Sequence, residues 1–280
     1  MERAESAPSS NSAYVLGHSD QEMERLRVQA RLINPITRQF FLEAGVAPGM
    51  RVLDVGTGVG ETAFLSADLV GRDGTVVGVD RSEVALATAR DRARELGFEN
   101  IAFVQGDPSE LEFELPFDAI VGRYILMFQP DPTAMLAKLK RLLRPAGLIV
   151  FHEPDWQSIK SFPRAPLYER CCALAIEALR HGKADTEMGM KLHLTFLEAG
   201  LPMPMMRTRA TIGAGTNAHD EVHLKADLVV TLAAEIERMG LATQEDLGLS
   251  TLAERAIAEV VANRSVVIGR SEMAAWTRLA

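Results

Sequence analysis

Cysteine is scarce in this chain: only Cys171 and Cys172 occur, side by side. Neighbours in sequence are poor disulfide partners, and no C-x-x-C spacing exists to hold a metal. A disulfide framework is excluded, no metal site is expected, and a reducing cytoplasm is the default compartment. Long apolar runs are missing too, so no segment reads as a membrane span. The first nineteen residues are polar and lack the apolar stretch of a secretory signal. Positive charge is in deficit, with 30 Lys and Arg against 38 Asp and Glu, a net charge of −8. Nucleic acid is therefore an unexpected partner, because binding it rests on clustered phosphate contacts. The local basic run Lys138, Lys140, Arg141 and Arg144 reads as the solvated face of a helix. Internal repeats and low-complexity tracts are absent.

What remains is an ordinary globular composition, 47% hydrophobic and 24% charged over 280 residues. That length buries a full core in one large domain or one domain with an insertion. A polar tail over 1–19 precedes a helix starting near Asp20 and running through 21–44, with a break expected near Pro35. Strand signals follow at 51–56, 74–80, 101–107, 117–125 and 147–153, with helices between them at 60–70, 82–96 and 131–143. Near-continuous apolar strands such as Val76-Val77 and Ile149-Val150-Phe151 are the pattern of a parallel sheet covered on both faces. Strand-helix alternation then implies a doubly wound α/β sheet. Beyond Glu153 the rhythm changes to helices at 166–179 and 187–199, a strand near 203–212, helices at 219–239 and 250–263, and a strand-like segment at 273–279. The expected organisation is an N-terminal tail and helix (1–44), an α/β core (45–215), a helical insertion (216–266), and a final core strand (267–280).

The most informative stretch is Val52-Leu53-Asp54-Val55-Gly56-Thr57-Gly58-Val59-Gly60. It reads as a buried strand entering a glycine turn and then a helix. Glycines suit a turn where the backbone approaches a ligand with angles that a Cβ forbids, and the helix start behind it offers free N–H groups. A pyrophosphate turn would read G-x-G-x-x-G, with its third glycine where Glu61 stands. Here the glycines fall at 56, 58 and 60, and Asp54 sits in the strand end. A carboxylate there suits a cationic ligand and repels a pyrophosphate.

The order acid-x-Gly-x-Gly-x-Gly resembles motif I of the class I S-adenosylmethionine (SAM)-dependent methyltransferases, in particular the small-molecule members that modify ubiquinone and menaquinone. Their cofactor carries an ammonium and a sulfonium. The resemblance implies a seven-stranded Rossmann-like sheet with a helical lid and a helical insertion before the last strand. It continues at the other strand ends. Asp80, followed by Arg81, ends the second strand, where the family's acid accepts the ribose hydroxyls; an acid here does not by itself separate SAM from NAD. Gly106, Asp107 and Pro108 end the third, where the family places an acid for the adenine amino group; Pro108 departs from the usual small or apolar residue. Arg123 follows the fourth strand, where the family supplies a backbone carbonyl to the methionine ammonium. Leu142–Leu148 matches the family's post-motif with Pro-Ala-Gly in place of Pro-Gly-Gly. The segment around Tyr14 matches one that folds over the cofactor in many small-molecule members.

Methyl transfer needs a water-free site, a positioned nucleophile and, for a phenol, amine or activated carbon, a base. Strand five delivers His152 and Glu153 to the rim, on opposite faces. His152 is the favoured base and His193 the second candidate. Met127, Phe128, Trp156, Phe162 and Tyr168, joined by Met188 and Met190, are the expected lining of an apolar acceptor pocket. The expected function is methyl transfer from SAM to an oxygen, nitrogen or carbon of a small apolar metabolite, by a protein for which a homodimer is one option and which binds neither nucleic acid nor membrane. The alternatives are a SAM-binding module without transfer activity and an NAD(P)-dependent dehydrogenase; Asp54 and Glu61 argue against the latter.

Overall fold

The computed structural model describes residues 20–280, with side chains from Val28 onward. Tyr14 lies outside the described residues. Eight strands form one sheet: β1 (Arg51–Val55), β2 (Thr75–Asp80), β3 (Ile101–Gln105), β4 (Phe117–Arg123), β5 (Leu143–Asp155), β6 (Lys160–Phe162), β7 (Met205–Ala214) and β8 (Val266–Arg278). Their order is β3-β2-β1-β4-β5-β8-β6, with β7 also paired to β8. The first five run parallel, and β8 is antiparallel to β5, β6 and β7. The eighth strand beyond the seven expected is β6, which continues the β5 edge along the start of β8 (Lys160↔Ile268, Phe162↔Val266).

The strands are apolar on both sides because helices cover both faces. On one face α1 (Asp20–Ala44) and α2 (Glu61–Val70) pack Phe40, Phe41, Ala63 and Leu65 on Val52, Val121, Val150 and Ala274. On the other, α4 (Pro132–Leu139), α5 (Pro166–His181) and α6 (Met188–Glu198) cover Leu53, Ile120, Ile149 and Phe151. Between α2 and α4, α3 (Glu83–Glu95) starts at Ser82, whose hydroxyl caps Ala85 N–H. Between β7 and β8 lie α7 (His219–Thr231), α8 (Ala233–Arg238), α9 (Gln244–Leu247) and α10 (Leu252–Ala262). A satellite core of Tyr168, Cys172, Val222, Val260 and Val267 ties α5, α7 and α10 to β8.

Two local expectations are corrected. Helix α1 runs unbroken through Pro35. An interior proline costs about 3 kcal/mol, but burial of Ile33, Phe40 and Phe41 returns about 1.5–3 kcal/mol for each. The last strand starts at Val266, earlier than the apolar pattern from 273 indicates. Its first half carries Arg270 and Glu272, both buried, so charge interrupts the pattern without ending the strand. No helix among the described residues is long and apolar enough to cross a membrane.

Candidate cofactor and acceptor site

At the carboxyl end of β1 the chain turns through Gly56 (φ 66°), Gly58 (φ 53°) and Gly60 (φ 92°), all in the left-handed region that glycine tolerates best. A Cβ on Gly56 would collide with the Ile125 side chain, so the turn also packs too tightly for alanine there. Asp80, at the end of β2, braces the turn: its Oδ2 accepts from Gly58 N–H (2.8 Å) and its Oδ1 from Ser82 N–H (2.9 Å). Helix α2 begins behind Gly60 without a side-chain cap. Its first N–H groups are therefore available to a polar ligand. Glu61 bonds Asn34 Nδ2 (3.0 Å) and Arg92 Nη2 (2.5 Å), and Arg92 Nη1 donates in turn to Val59 O in the turn (2.8 Å). An open hollow of about 540 Å³ lies beside it, lined by Arg31, Asn34, Pro35 and Arg92 among others.

Asp54 is fully buried, and neither carboxylate oxygen has a hydrogen-bond partner; nor does the Thr57 hydroxyl nearby. Burial pushes the Asp54 carboxyl up to about 7, against the lowering influence of Thr57 and Arg123, and Asp80 adds to the rise. A buried carboxylate without a partner is costly, and a cation placed against it removes the cost. Carboxylate, glycine turn and ribose-height acid together fit SAM, whose methionine end is cationic.

Just past the end of β3 stands a second acid, Asp107. Its Oδ1 accepts from Ser109 N–H (2.9 Å) and its Oδ2 from Arg81 Nη2 (2.5 Å). Partial burial raises this carboxyl, but Ser109 and Arg81 outweigh it and hold it below the usual range. Gly106 (φ 155°) donates its N–H to Asp80 O (2.9 Å), Pro108 is buried, and a small hollow of about 110 Å³ opens between Arg81, Asp107, Gln129 and Lys138. Arg123 turns its side chain to α1, with Nη1 donating to Asn34 Oδ1 (2.7 Å) and Thr37 Oγ1 (3.0 Å). The structure thus gathers Asp54, Gly56, Thr57, Gly58, Gly60 and Asp80 at one turn, with Arg81 next to Asp80 and Asp107 one strand further out.

His152 and Glu153 part to opposite faces of β5. His152 is fully buried with both ring nitrogens engaged: Nε2 with Glu272 Oε2 (2.8 Å) and Nδ1 with Thr37 Oγ1 (3.1 Å). Burial lowers its pKa more than Glu272 raises it, so the ring is neutral. Glu272 also accepts from Tyr124 Oη (2.6 Å) and, through Oε1, from Arg270 Nε (2.8 Å). Burial works to raise Glu272, but Arg270, His152 and Tyr124 hold it well below the ordinary carboxylate range. Tyr124 itself sits at φ 58°, an unusual angle for a bulky residue. Its N–H donates to His152 O (2.9 Å), and Arg270 Nη2 donates to its hydroxyl (2.8 Å). Glu153 closes the next turn by accepting from the N–H groups of Ile125 (2.8 Å), Leu126 (2.7 Å) and Met127 (3.3 Å); burial nevertheless pushes it up to about 8.

His193 is exposed on α6. The expected apolar lining does not come together. Met127, Trp156, Tyr168 and Met188 are buried, whereas Phe162 and Met190 face solvent. Sequence reasoning passed over Tyr124, Arg270 and Glu272. The available signal was two opposite charges two residues apart in an apolar strand, which the period of a strand places on one face.

The parallel sheet with its ligand turn at the switch point, an acid beneath the turn and acids at the next two strand ends defines a SAM-binding Rossmann-like fold. Comparison with known proteins agrees. Over residues 47–199 the chain matches the model of the methyltransferase domain family, and it belongs to that family. It is 32% identical to the 2-phytyl-1,4-naphtoquinone methyltransferase of Synechococcus elongatus, covering 67% of this chain and 80% of that one. It is also 32% identical to the aklanonic acid methyltransferase DauC of a Streptomyces species, over 50% of this chain and 64% of that one. A crystal structure of a putative methyltransferase from Bacillus halodurans superposes with a TM-score of 0.56 at 17% identity, covering 86% and 96% of the two chains, and shows the shared fold. The protein is a SAM-dependent methyltransferase of small metabolites.

Proposed function

We propose that the methyl acceptor is a planar ring metabolite of the hydroquinone or phenol type. The observation that carries this reading is the similarity to a naphthoquinone methyltransferase along four-fifths of that enzyme's length. Tyr124 and Phe128, half-buried at the end of β4, supply faces for a ring. In this reading Asp54 faces the cofactor's cationic end, Asp80 accepts from its ribose and Asp107 from its adenine. SAM, when bound, supplies an electrophilic methyl group on a sulfonium. His152, whose Nε2 donates to the ionised Glu272, is a positioning residue that holds Glu272 and, through it, the Tyr124 hydroxyl. A small-molecule acceptor rather than nucleic acid or membrane accords with the net charge of −8. Two unpaired buried cysteines accord with the cytoplasm. The exposed stripe Met190, Leu194 and Leu197 on α6 accords with a homodimer.

The test is incubation with trideuteromethyl-SAM and a panel of reduced naphthoquinones, polycyclic phenols, aliphatic amines and aliphatic carboxylic acids, read by mass spectrometry. A labelled methyl on a ring acceptor is the expected result. Labelling of amines or carboxylic acids only, with no ring acceptor modified, would overturn the ring assignment.

A further inference from the structure

Beyond the carboxyl ends of β4 and β5 the interior holds charged side chains among apolar ones. Glu221 and Lys225 on α7, and Arg270 and Glu272 on β8, are all buried. They form two ion pairs, Lys225 Nζ–Glu221 Oε1 (2.7 Å) and Arg270 Nε–Glu272 Oε1 (2.8 Å). Trp156 lies between them. The Lys225 ammonium is 5.6 Å and the Arg270 guanidinium 4.9 Å from its ring. Trp156 is 3% exposed, and its indole N–H has no hydrogen-bond partner.

Such an arrangement is a poor way to stabilise a fold. Well-packed apolar side chains in place of buried ion pairs are often at least as stable, and a buried unpaired donor is a direct cost. The two acids are well supplied with donors. Glu221 accepts from Lys225, Tyr168 Oη (3.2 Å) and Thr211 Oγ1 (2.6 Å), and Glu272 from Arg270, His152 and Tyr124. Each cation is matched by an acid, and the one unpartnered group is the donor between them, the indole N–H. The matching ligand group accepts hydrogen bonds and carries negative charge. The cluster also reaches the cofactor end. Arg270 holds the Tyr124 hydroxyl, and the Arg123 guanidinium, whose charge acts on Asp54, stands 5.8 Å from the Tyr124 ring.

We propose that Trp156, Lys225 and Arg270 form the acceptor-recognition subsite and select a ring metabolite bearing an ionised oxygen group, a carboxylate or phenolate, which the Trp156 N–H and the Lys225 ammonium hold. The inference rests on the ring-acceptor reading above and names the charge its acceptor carries. The test is calorimetric titration, at saturating S-adenosylhomocysteine, with 1-hydroxy-2-naphthoate and with its neutral methyl ester. The acid is expected to bind at least about tenfold more tightly than the ester. Trp156→Phe keeps the ring and removes only the unpaired donor. It should melt no lower than the parent, lose about tenfold in acid affinity and leave the ester unchanged. A second variant, Lys225→Met with Glu221→Gln to avoid a stranded charge, should lose acid affinity in the same selective way. Equal binding of acid and ester, or an unchanged acid affinity in both variants, overturns this inference and leaves the ring-acceptor reading standing. If S-adenosylhomocysteine binds but neither naphthoate does, the ring-acceptor reading fails and this inference falls with it.

Discussion

Asp54 should make the ligand-free protein less stable as pH rises. Its carboxyl goes from an ordinary 3.8 to about 7 in the folded chain because burial disfavours the charge. A carboxyl with a raised folded pKa binds its proton more tightly when folded. The penalty is therefore absent below about pH 4, grows as pH rises towards 7, and is complete above it. The full shift of about 3 units corresponds to roughly 4 kcal/mol, of which roughly 3 kcal/mol accrues between pH 5 and pH 8. Asp54→Asn removes the titration but leaves a buried amide without partners, a pH-independent cost of about 1–3 kcal/mol. The variant should be equal to or less stable than the parent at pH 5 and gain on it by roughly 3 kcal/mol at pH 8. Urea unfolding of both proteins without ligand, at the two pH values, measures the difference directly. A parent-to-variant difference that moves by less than about 0.5 kcal/mol between pH 5 and 8 would refute an uncompensated buried carboxylate at this position. The same reasoning makes SAM binding release a proton below about pH 7, detectable as a buffer-dependent binding enthalpy.

Other substitutions probe the rest of the site. Asp80→Ala removes the brace on the glycine turn and the ribose acceptor, and should weaken SAM binding at least about tenfold by calorimetry while the circular dichroism spectrum stays unchanged. Gly56→Ala places a methyl group against Ile125 at a left-handed φ, and should abolish SAM binding and lower the melting temperature. Glu272→Gln strands the buried Arg270 charge and should cost about 3–5 kcal/mol in urea unfolding, while a Glu272→Leu, Arg270→Leu double variant should cost less than that single change. His152→Ala should lower turnover far more than SAM affinity; normal turnover would remove His152 from the reaction.

The sheet and its ligand turn were legible because both are written locally. Apolar runs such as Val76-Val77 mark strands buried on two faces, and three alternating glycines after Asp54 mark a turn whose angles exclude side chains. Helix α3 announced itself through Ser82, and its end through Gly97 at φ 74°. Long-range facts were harder to read. Pro35 looked like a break because the packing of Phe40 and Phe41 against the sheet, which offsets its lost hydrogen bond, involves residues far along the chain. Arg270 and Glu272 gave no signal of a site because their partners, Tyr124 after β4 and His152 on β5, lie far away in sequence. The aromatic and methionine residues after β4 and β5 looked like one pocket because sequence proximity hides direction, and Phe162 and Met190 point to solvent.

The most direct test of the account is calorimetric titration of the purified protein with SAM, S-adenosylhomocysteine and NAD in parallel. The glycine turn over a buried Asp54, with Asp80 at the next strand end, predicts saturable one-to-one binding of the first two and none of NAD. Binding of NAD, or no binding of SAM and S-adenosylhomocysteine, would contradict it.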